Sequence, residues 1–356
     1  MNKAPRSEFL IGGQSIAAGE RCDVDLRVAP TYTHDDLSMT VQVVHGKKEG
    51  PTLFISAAVH GDEINGVEII RRLLQSKSLK SISGTLLAIP IVNVHGFLNQ
   101  SRYLPDGRDL NRCFPGSAKG SLAGRVANTF IQEIVQKCTH GIDLHTGSRH
   151  RSNFPQIRAD FEQPGTLAMT EAFGVPVAMN STLRDGSLRA CAGDLGIPVI
   201  LYEAGEALRF DEVYIRAAVK GILSVMREIG MLPPRPRKTA PQPPLVSDHS
   251  YWVRAPESGV LRTLVKLGAK VDKDQVIAMV ADPLGGMEAE VTASQAGVVI
   301  GRTNLPLVYS GNALFHIARY GSNNKKVERQ VEKFQEEHEP DEAPDPGDDP
   351  SNAPII

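Results

Sequence analysis

Apolar runs of strand length, alternating with amphipathic helical segments, constrain this chain more than any other feature of it. "PTLFISAAVHG" (51–61) is a mostly apolar run, the pattern of a central strand buried on both faces. It leads into "VEIIRRLLQS", where Val67, Ile70 and Leu74 share one helical face and Ile69 and Leu73 extend it. The alternation returns further on. "MTVQVVHG", "GTLLAIPIVNVHG", "HGIDLHTG" and "IPVILYEAGE" read as strands. "LAGRVANTFIQEIVQKC" and "FDEVYIRAAVKGILSVMREIG" read as helices, the second closed by Gly230. Such a pattern predicts an α/β domain with a mostly parallel sheet over residues 1–232.

The pattern stops at "LPPRPRKTAPQPPLVSDHS", whose six prolines make it stiff and hard to pack, so 233–249 reads as a linker. Residues 250–320 look all-β and carry a weak internal repeat. Aligned at an offset of 38, Gly259 meets Gly297, Val260 meets Val298, and Val276 meets Leu314. Two copies of a strand–turn–strand unit predict a small pseudo-symmetric β sandwich that resembles the biotinyl/lipoyl-type barrel-sandwich fold. Carrier domains of that type hold a lysine at the hairpin between the repeats. Here "ADPLGGMEAEVTA" has none, so a structural or gating module is expected. Residues 321–356, charged and then rich in Pro, Asp and Glu, read as a disordered tail after a short helix.

Composition excludes several classes. A net charge of −2 gives no electrostatic reason to expect nucleic acid or an anionic membrane. No apolar run approaches bilayer length, and "MNKAPRSEFLIGG" lacks the apolar core of a signal peptide. Cys22, Cys113, Cys138 and Cys191 are too scattered for a thiolate metal site or a disulfide scaffold. A reduced, cytoplasmic protein is the expectation, and oligomeric state is left open. No G-x-S-x-G appears, so serine hydrolysis has no support.

The chemistry concentrates at the ends of the strand runs. His60 and Glu63 stand three apart at the junction of strand and helix, and with Glu63 in the first turn both can face one metal ion. His145 ends the strand "GIDLH", and ligands collect at the carboxyl ends of strands in open α/β sheets. "SRYLPDGRDLNRCFPG" (101–116) holds Arg102, Arg108, Asn111 and Arg112, a density that suits a carboxylate pocket better than a solvated turn. One of these arginines can instead polarise a scissile carbonyl. "LYEAGE" places Glu203 at another strand end, where a partly buried carboxylate can serve as general base, with Glu206 as its rival. Asp143 is either an outer partner of a ligand histidine or a turn residue at a strand end. His45, His95, His140 and His150 carry no ligand spacing.

H-G-D-E, D-L-N-R-x-F-P-G, D-L-H-T-G and E-A-G occur here in an order that resembles the succinylglutamate desuccinylase/aspartoacylase family, over about residues 40–230. The resemblance implies the zinc-carboxypeptidase-like fold, a mixed, mostly parallel sheet flanked by helices. It implies one zinc ion per chain on His60, Glu63 and His145. Glu203 would be the general base, Asn111 and Arg112 would hold the substrate carboxylate, and Arg102 would polarise the carbonyl, with Arg108 as competitor. The expected activity is hydrolysis of the amide bond of an N-acyl amino acid, or a similar small carboxylate amide, by water activated on zinc. The alternative is a metallocarboxypeptidase for short or γ-glutamyl-type peptides. A small-molecule carboxylate is the expected partner, with no nucleic acid and no membrane. A non-catalytic binding protein is disfavoured, because every expected position is filled. Arg184 and Arg189 are either readers of a second carboxylate or surface arginines, and the surface is the expectation.

Overall fold

The computed structural model describes residues 6–31, 33–234 and 243–319, and beyond these residues 331, 333, 334, 336 and 337. The chain begins with a small hairpin, β1 (Phe9–Ile11) and β2 (Gln14–Ile16), followed by two long strands, β3 (Arg21–Pro30) and β4 (Asp36–His45). Then come β5 (Lys48–Ala57), α1 (Asn65–Leu74), β6 (Ser83–Ile89), α2 (Val94–Leu98) and α3 (Leu122–Glu133). The site-bearing part continues with β7 (His140–Gly147), β8 (Arg151–Ala159), α4 (Thr166–Phe173), β9 (Val177–Asn180), α5 (Leu188–Asp194), β10 (Val199–Glu206) and α6 (Glu212–Glu228). Among the described residues nine further strands follow: β11 (Leu245–Ser247), β12 (Ser250–Arg254), β13 (Gly259–Thr263), β14 (Lys270–Val271), β15 (Val276–Ala281), β16 (Glu288–Thr292), β17 (Gly297–Thr303), β18 (Leu307–Val308) and, last, β19 (Ala313–Arg319).

The sheet is mixed. At its centre β6, β5, β7 and β10 run parallel in that order, as the buried apolar runs predict. Strand β5 shows why. Leu53, Ile55 and Ala57 pack on one face with Ile69, Ile70 and Ile222, whereas Phe54 packs on the other with Phe130 and Leu87. Successive side chains point to opposite faces, so a strand covered on both sides must be apolar throughout. The antiparallel pairs β3–β4, β4–β6 and β8–β10 lie outside this centre. Strand β8 has no clear signature in the sequence, because "RSNFPQIRA" mixes polar residues and a proline into a strand.

The repeat in the C-terminal module is structural. Strands β12 and β16 start at Ser250 and Glu288, and β13 and β17 at Gly259 and Gly297, each pair 38 residues apart. The module's β16, β15, β13 and β18 form a separate four-stranded sheet. Its β12, β19, β17 and β14 instead join the large sheet, through antiparallel pairing of β17 with β8. Val271, Ile277, Val299 and Phe315 fill the core between the two layers. Within the stretch read as linker, Leu245–Ser247 forms β11 alongside β9, and residues 235–242 lie outside the described residues. In the stretch read as a tail, the described residues 331, 333, 334, 336 and 337 are helical, and Val331 packs with Phe154; the others there lie outside the described residues.

An ion cluster ties α1 to α6. Glu68 accepts from Arg71 and Arg72, and Arg72 also binds both carboxylate oxygens of Glu212 at 2.7 Å. The hydrogen bonds from Arg71 and then Arg72 bring the Glu68 carboxyl down from 4.5 to about 2. A carboxyl with a lowered folded-state pKa adds stability above its unfolded value and loses it as pH falls through the folded one. Glu68→Gln is therefore expected to lower stability by about 1 kcal/mol at pH 7, with the difference gone near pH 2. Thermal melts of the two proteins across that range read it directly.

Candidate functional site

Strand β5 ends at Ala57, and the chain then makes a turn in which Glu63 N donates to His60 O at 3.1 Å. The first helical turn is thus not what aligns these two side chains: α1 begins only at Asn65, and His60 lies three residues past the strand. A four-residue turn closed by that hydrogen bond brings its first and last residues to one side just as a helix would. The turn is pressed against α2. A Cβ on Gly61 would stand 2.0 Å from Gly96 C and 2.2 Å from Phe97 N, so only glycine fits.

His145 lies on β7, two residues beyond Asp143, so both point to the same face. His60 Nδ1 stands 2.8 Å from Glu63 Oε1, and His145 Nδ1 stands 2.7 Å from Glu63 Oε2. The far nitrogens are held as well: His60 Nε2 by Asp109 Oδ1 at 3.1 Å, and His145 Nε2 by Asp143 Oδ2 at 2.8 Å. Ser56 Oγ in turn donates to Asp143 at 2.7 Å. All three central residues are buried, and their candidate ligand atoms lie within 4.8 Å of one another. Among the described residues no other group of His, Cys, Asp and Glu is gathered in this way.

This donor set fits a metal ion. It offers two imidazole nitrogens and one carboxylate, each imidazole fixed from behind by a carboxylate. Burial alone would keep the imidazoles neutral, but Glu63 and then Asp109 raise His60, and Asp143 and then Glu63 raise His145, above the usual range. Glu63 is held far below the usual carboxylate range despite its burial, because both histidines face it.

Asp109 is a site residue the sequence reading missed. It lies inside the quoted motif "DLNR", but its partner His60 is 49 positions away and no spacing rule links them. It also accepts from Arg102 Nη2 at 2.9 Å, while Arg102 Nη1 reaches Glu63 Oε1 at 3.1 Å. Arg102 therefore sits beside the metal-type group. Arg108 does not: its side chain is 60% exposed and faces Asp106 at 3.8 Å. A type of residue can be read from the loop's composition, but which arginine turns inward is set by the loop's path.

Asn111 is buried, and its Oδ1 accepts from Leu188 N at 2.9 Å, which leaves its amide nitrogen as the donor for a ligand. Arg112 is exposed and lines the same cavity. Glu203 lies on β10 level with His145 on β7. Its Oε2 accepts from Asn153 Nδ2, and Arg158 Nε stands 3.7 Å from Oε1. The rival Glu206 is engaged elsewhere, accepting from His150 N and Asn304 Nδ2, each at 2.8 Å.

These groups line one cavity of about 740 Å³. It takes in His60, Glu63, His145, Arg102, Asn111, Arg112 and Glu203, and also Arg158, Arg184 and Arg189. Ser250, Trp252 and His316 of the C-terminal module complete its wall, with the Trp252 and His316 rings stacked at 4.5 Å. Burial, with nearby Arg158, brings the His316 imidazole down to about 3, so it stays neutral. Arg184 is exposed, as expected, but Arg189 is not a surface arginine: it is partly buried and its Nη1 is enclosed without a hydrogen-bond partner. Burial, then the like charge of Arg158, brings Arg189 down to about 10.

A mixed α/β sheet with a buried His–Glu–His group at one end of its central strands is the framework of a metal-type hydrolase. The model of the succinylglutamate desuccinylase/aspartoacylase catalytic domain matches residues 49–229, half of the chain, and the protein belongs to that family of amide-cleaving deacylases. A curated relative, the N-alpha-acetyl-L-2,4-diaminobutyric acid deacetylase of Halomonas elongata, is 27% identical over 286 residues, 76% of this chain and 82% of its own. The product-bound structure of the ectoine utilization protein from Ruegeria pomeroyi has a TM-score of 0.75 at 23% identity, covering 90% of this chain and 100% of that one. A succinylglutamate desuccinylase/aspartoacylase from Rhodobacter sphaeroides has a TM-score of 0.74 at 22% identity, covering 85% and 96%. At these identities the two structures show a shared fold. No helix among the described residues is long and apolar enough to cross a membrane.

Proposed function

We propose that this protein is a zinc-dependent deacylase that cleaves the amide bond of an N-acyl amino acid. The observation that carries the reading is the convergence of His60, Glu63 and His145, each imidazole braced by its own carboxylate, in one cavity with Glu203, Asn111 and Arg112. A zinc ion bound there would supply a Lewis acid for water and for the scissile carbonyl. Glu203 takes the proton of the attacking water and delivers it to the departing nitrogen. Arg102, beside Glu63, stabilises the negative charge that grows on the carbonyl oxygen. Asn111 and Arg112 hold the substrate's carboxylate.

The alternative, a metallocarboxypeptidase acting on peptides, needs an open groove. Module residues Ser250, Trp252 and His316 wall the cavity instead, which supports a small substrate. Its charge supports an anionic one. Arg158 and Arg189 line the cavity, and an arginine with an enclosed, unpartnered nitrogen is costly unless a ligand anion meets it.

The test is hydrolysis by the zinc-loaded protein of N-acetyl amino acids with anionic, neutral and cationic side chains. Zinc-dependent release of the amino acid is expected, with the anionic substrate preferred by about tenfold over the neutral one. Arg189→Met should erase that preference without abolishing hydrolysis. A zinc-loaded protein inactive on every N-acyl amino acid would sink the proposal.

A further inference from the structure

Asn153 sits where three strands meet. On β8 it lies level with Gly205 of β10 on one side and with Gly301 of β17, in the C-terminal module, on the other. Both partner strands are irregular at this level, β10 between Glu203 and Gly205 and β17 between Val299 and Gly301. The Asn153 amide nitrogen donates to Glu203 Oε2, and among the described residues it is the one hydrogen-bond donor to that carboxylate. Arg158 Nε, at 3.7 Å from Oε1, is too far for a hydrogen bond.

The module sets the place of that amide. A Cβ on Gly301 would come within 3.0 Å of Asn153 Oδ1, so a side chain there would push the amide by a few tenths of an ångström. The turn after β17 pins the surroundings. Asn304 donates through Nδ2 to Ser152 Oγ at 2.7 Å and to Glu206 Oε2 at 2.8 Å, and its N donates to His150 O at 2.7 Å. The module thus holds β8 just before Asn153 and β10 just after Glu203.

We propose that Asn153 is a positioning residue for Glu203, and that Gly301 of the C-terminal module sets the position of Asn153. This rests on the reading of Glu203 as general base. A carboxylate free to rotate spends part of its time turned away from the water it must deprotonate. One donor on Oε2 fixes the group and leaves Oε1 for the proton. The module then contributes to turnover through a side chain that need not touch substrate.

The experiment compares Asn153→Asp, Gly301→Ala, Glu203→Gln and the double variant Asn153→Asp/Glu203→Gln, each loaded with zinc. Asn153→Asp keeps the shape and removes the donor. It is expected to lower kcat about tenfold or more, with KM within about twofold and zinc content unchanged. Gly301→Ala should lower kcat about threefold or more, again without moving KM. In the Glu203→Gln background the Asn153 substitution should cost nothing further, because its effect passes through Glu203. A role in folding alone would lower zinc content and raise KM together, and would add to the Glu203 loss; that pattern overturns the proposal. So does an unchanged kcat in both single variants while Glu203→Gln is inactive, which leaves the base reading standing. An active Glu203→Gln instead sinks the base reading and this inference with it. If Asn153→Asp does not fold, Gly301→Ala decides alone.

Discussion

Glu203→Gln is expected to lower kcat by about 10³-fold while the protein still binds one zinc ion. The substitution keeps the size and the strand position of the side chain but removes its ability to take a proton. Glu203 lies on the strand next to His145 and level with it, so its carboxylate sits near the metal-type group without belonging to it. The variant therefore separates proton transfer from metal binding. Zinc content measured beside kcat checks it. A variant that keeps more than about a tenth of wild-type kcat would move the base role elsewhere, and Glu206 is a poor heir, since both its oxygens are already bonded.

The second large effect belongs to Glu63. Glu63→Ala is expected to bind no stoichiometric zinc, where the proposed function expects one ion per chain in the wild type. The wild type should melt at a lower temperature in chelator, since a ligand that binds only the folded state stabilises it; the variant should not respond. The metal-free variant should itself be weaker than the metal-free wild type, by about 3 kcal/mol. Glu63 is the carboxylate that faces both buried histidines, and without it the two imidazoles lie side by side with ring centres 4.9 Å apart. Elemental analysis and melting with and without chelator read both parts. A variant that retains its zinc would show that His60 and His145 suffice with some other donor.

The sequence carries the sheet's centre and the metal-type group for a physical reason. Buried strands must be apolar on both faces, and the ends of such strands are where polar side chains can gather, so His60, Glu63, His145 and Glu203 stand out against their neighbours. What stayed hidden depends on chain paths. Arg102 and Arg108 are alike in sequence, and only the fold turns one inward and the other out. Asp109 shows its role only once His60 is brought to it. Arg189 looks like a surface arginine until α5 carries it to the cavity. Strand β8 is hidden by its own polar residues, and two of those, Asn153 and Arg158, line the cavity.

The hydrogen-bond ladder between β17 and β8 has a mechanical consequence. A hinged cover over the cavity would have to swing, and swinging here would tear backbone hydrogen bonds from the middle of a sheet. Cutting the module away would strip the first residues of β8 of their partners, leaving a raw strand edge open to pairing with another chain. The chain is divisible by its repeat and indivisible by its sheet.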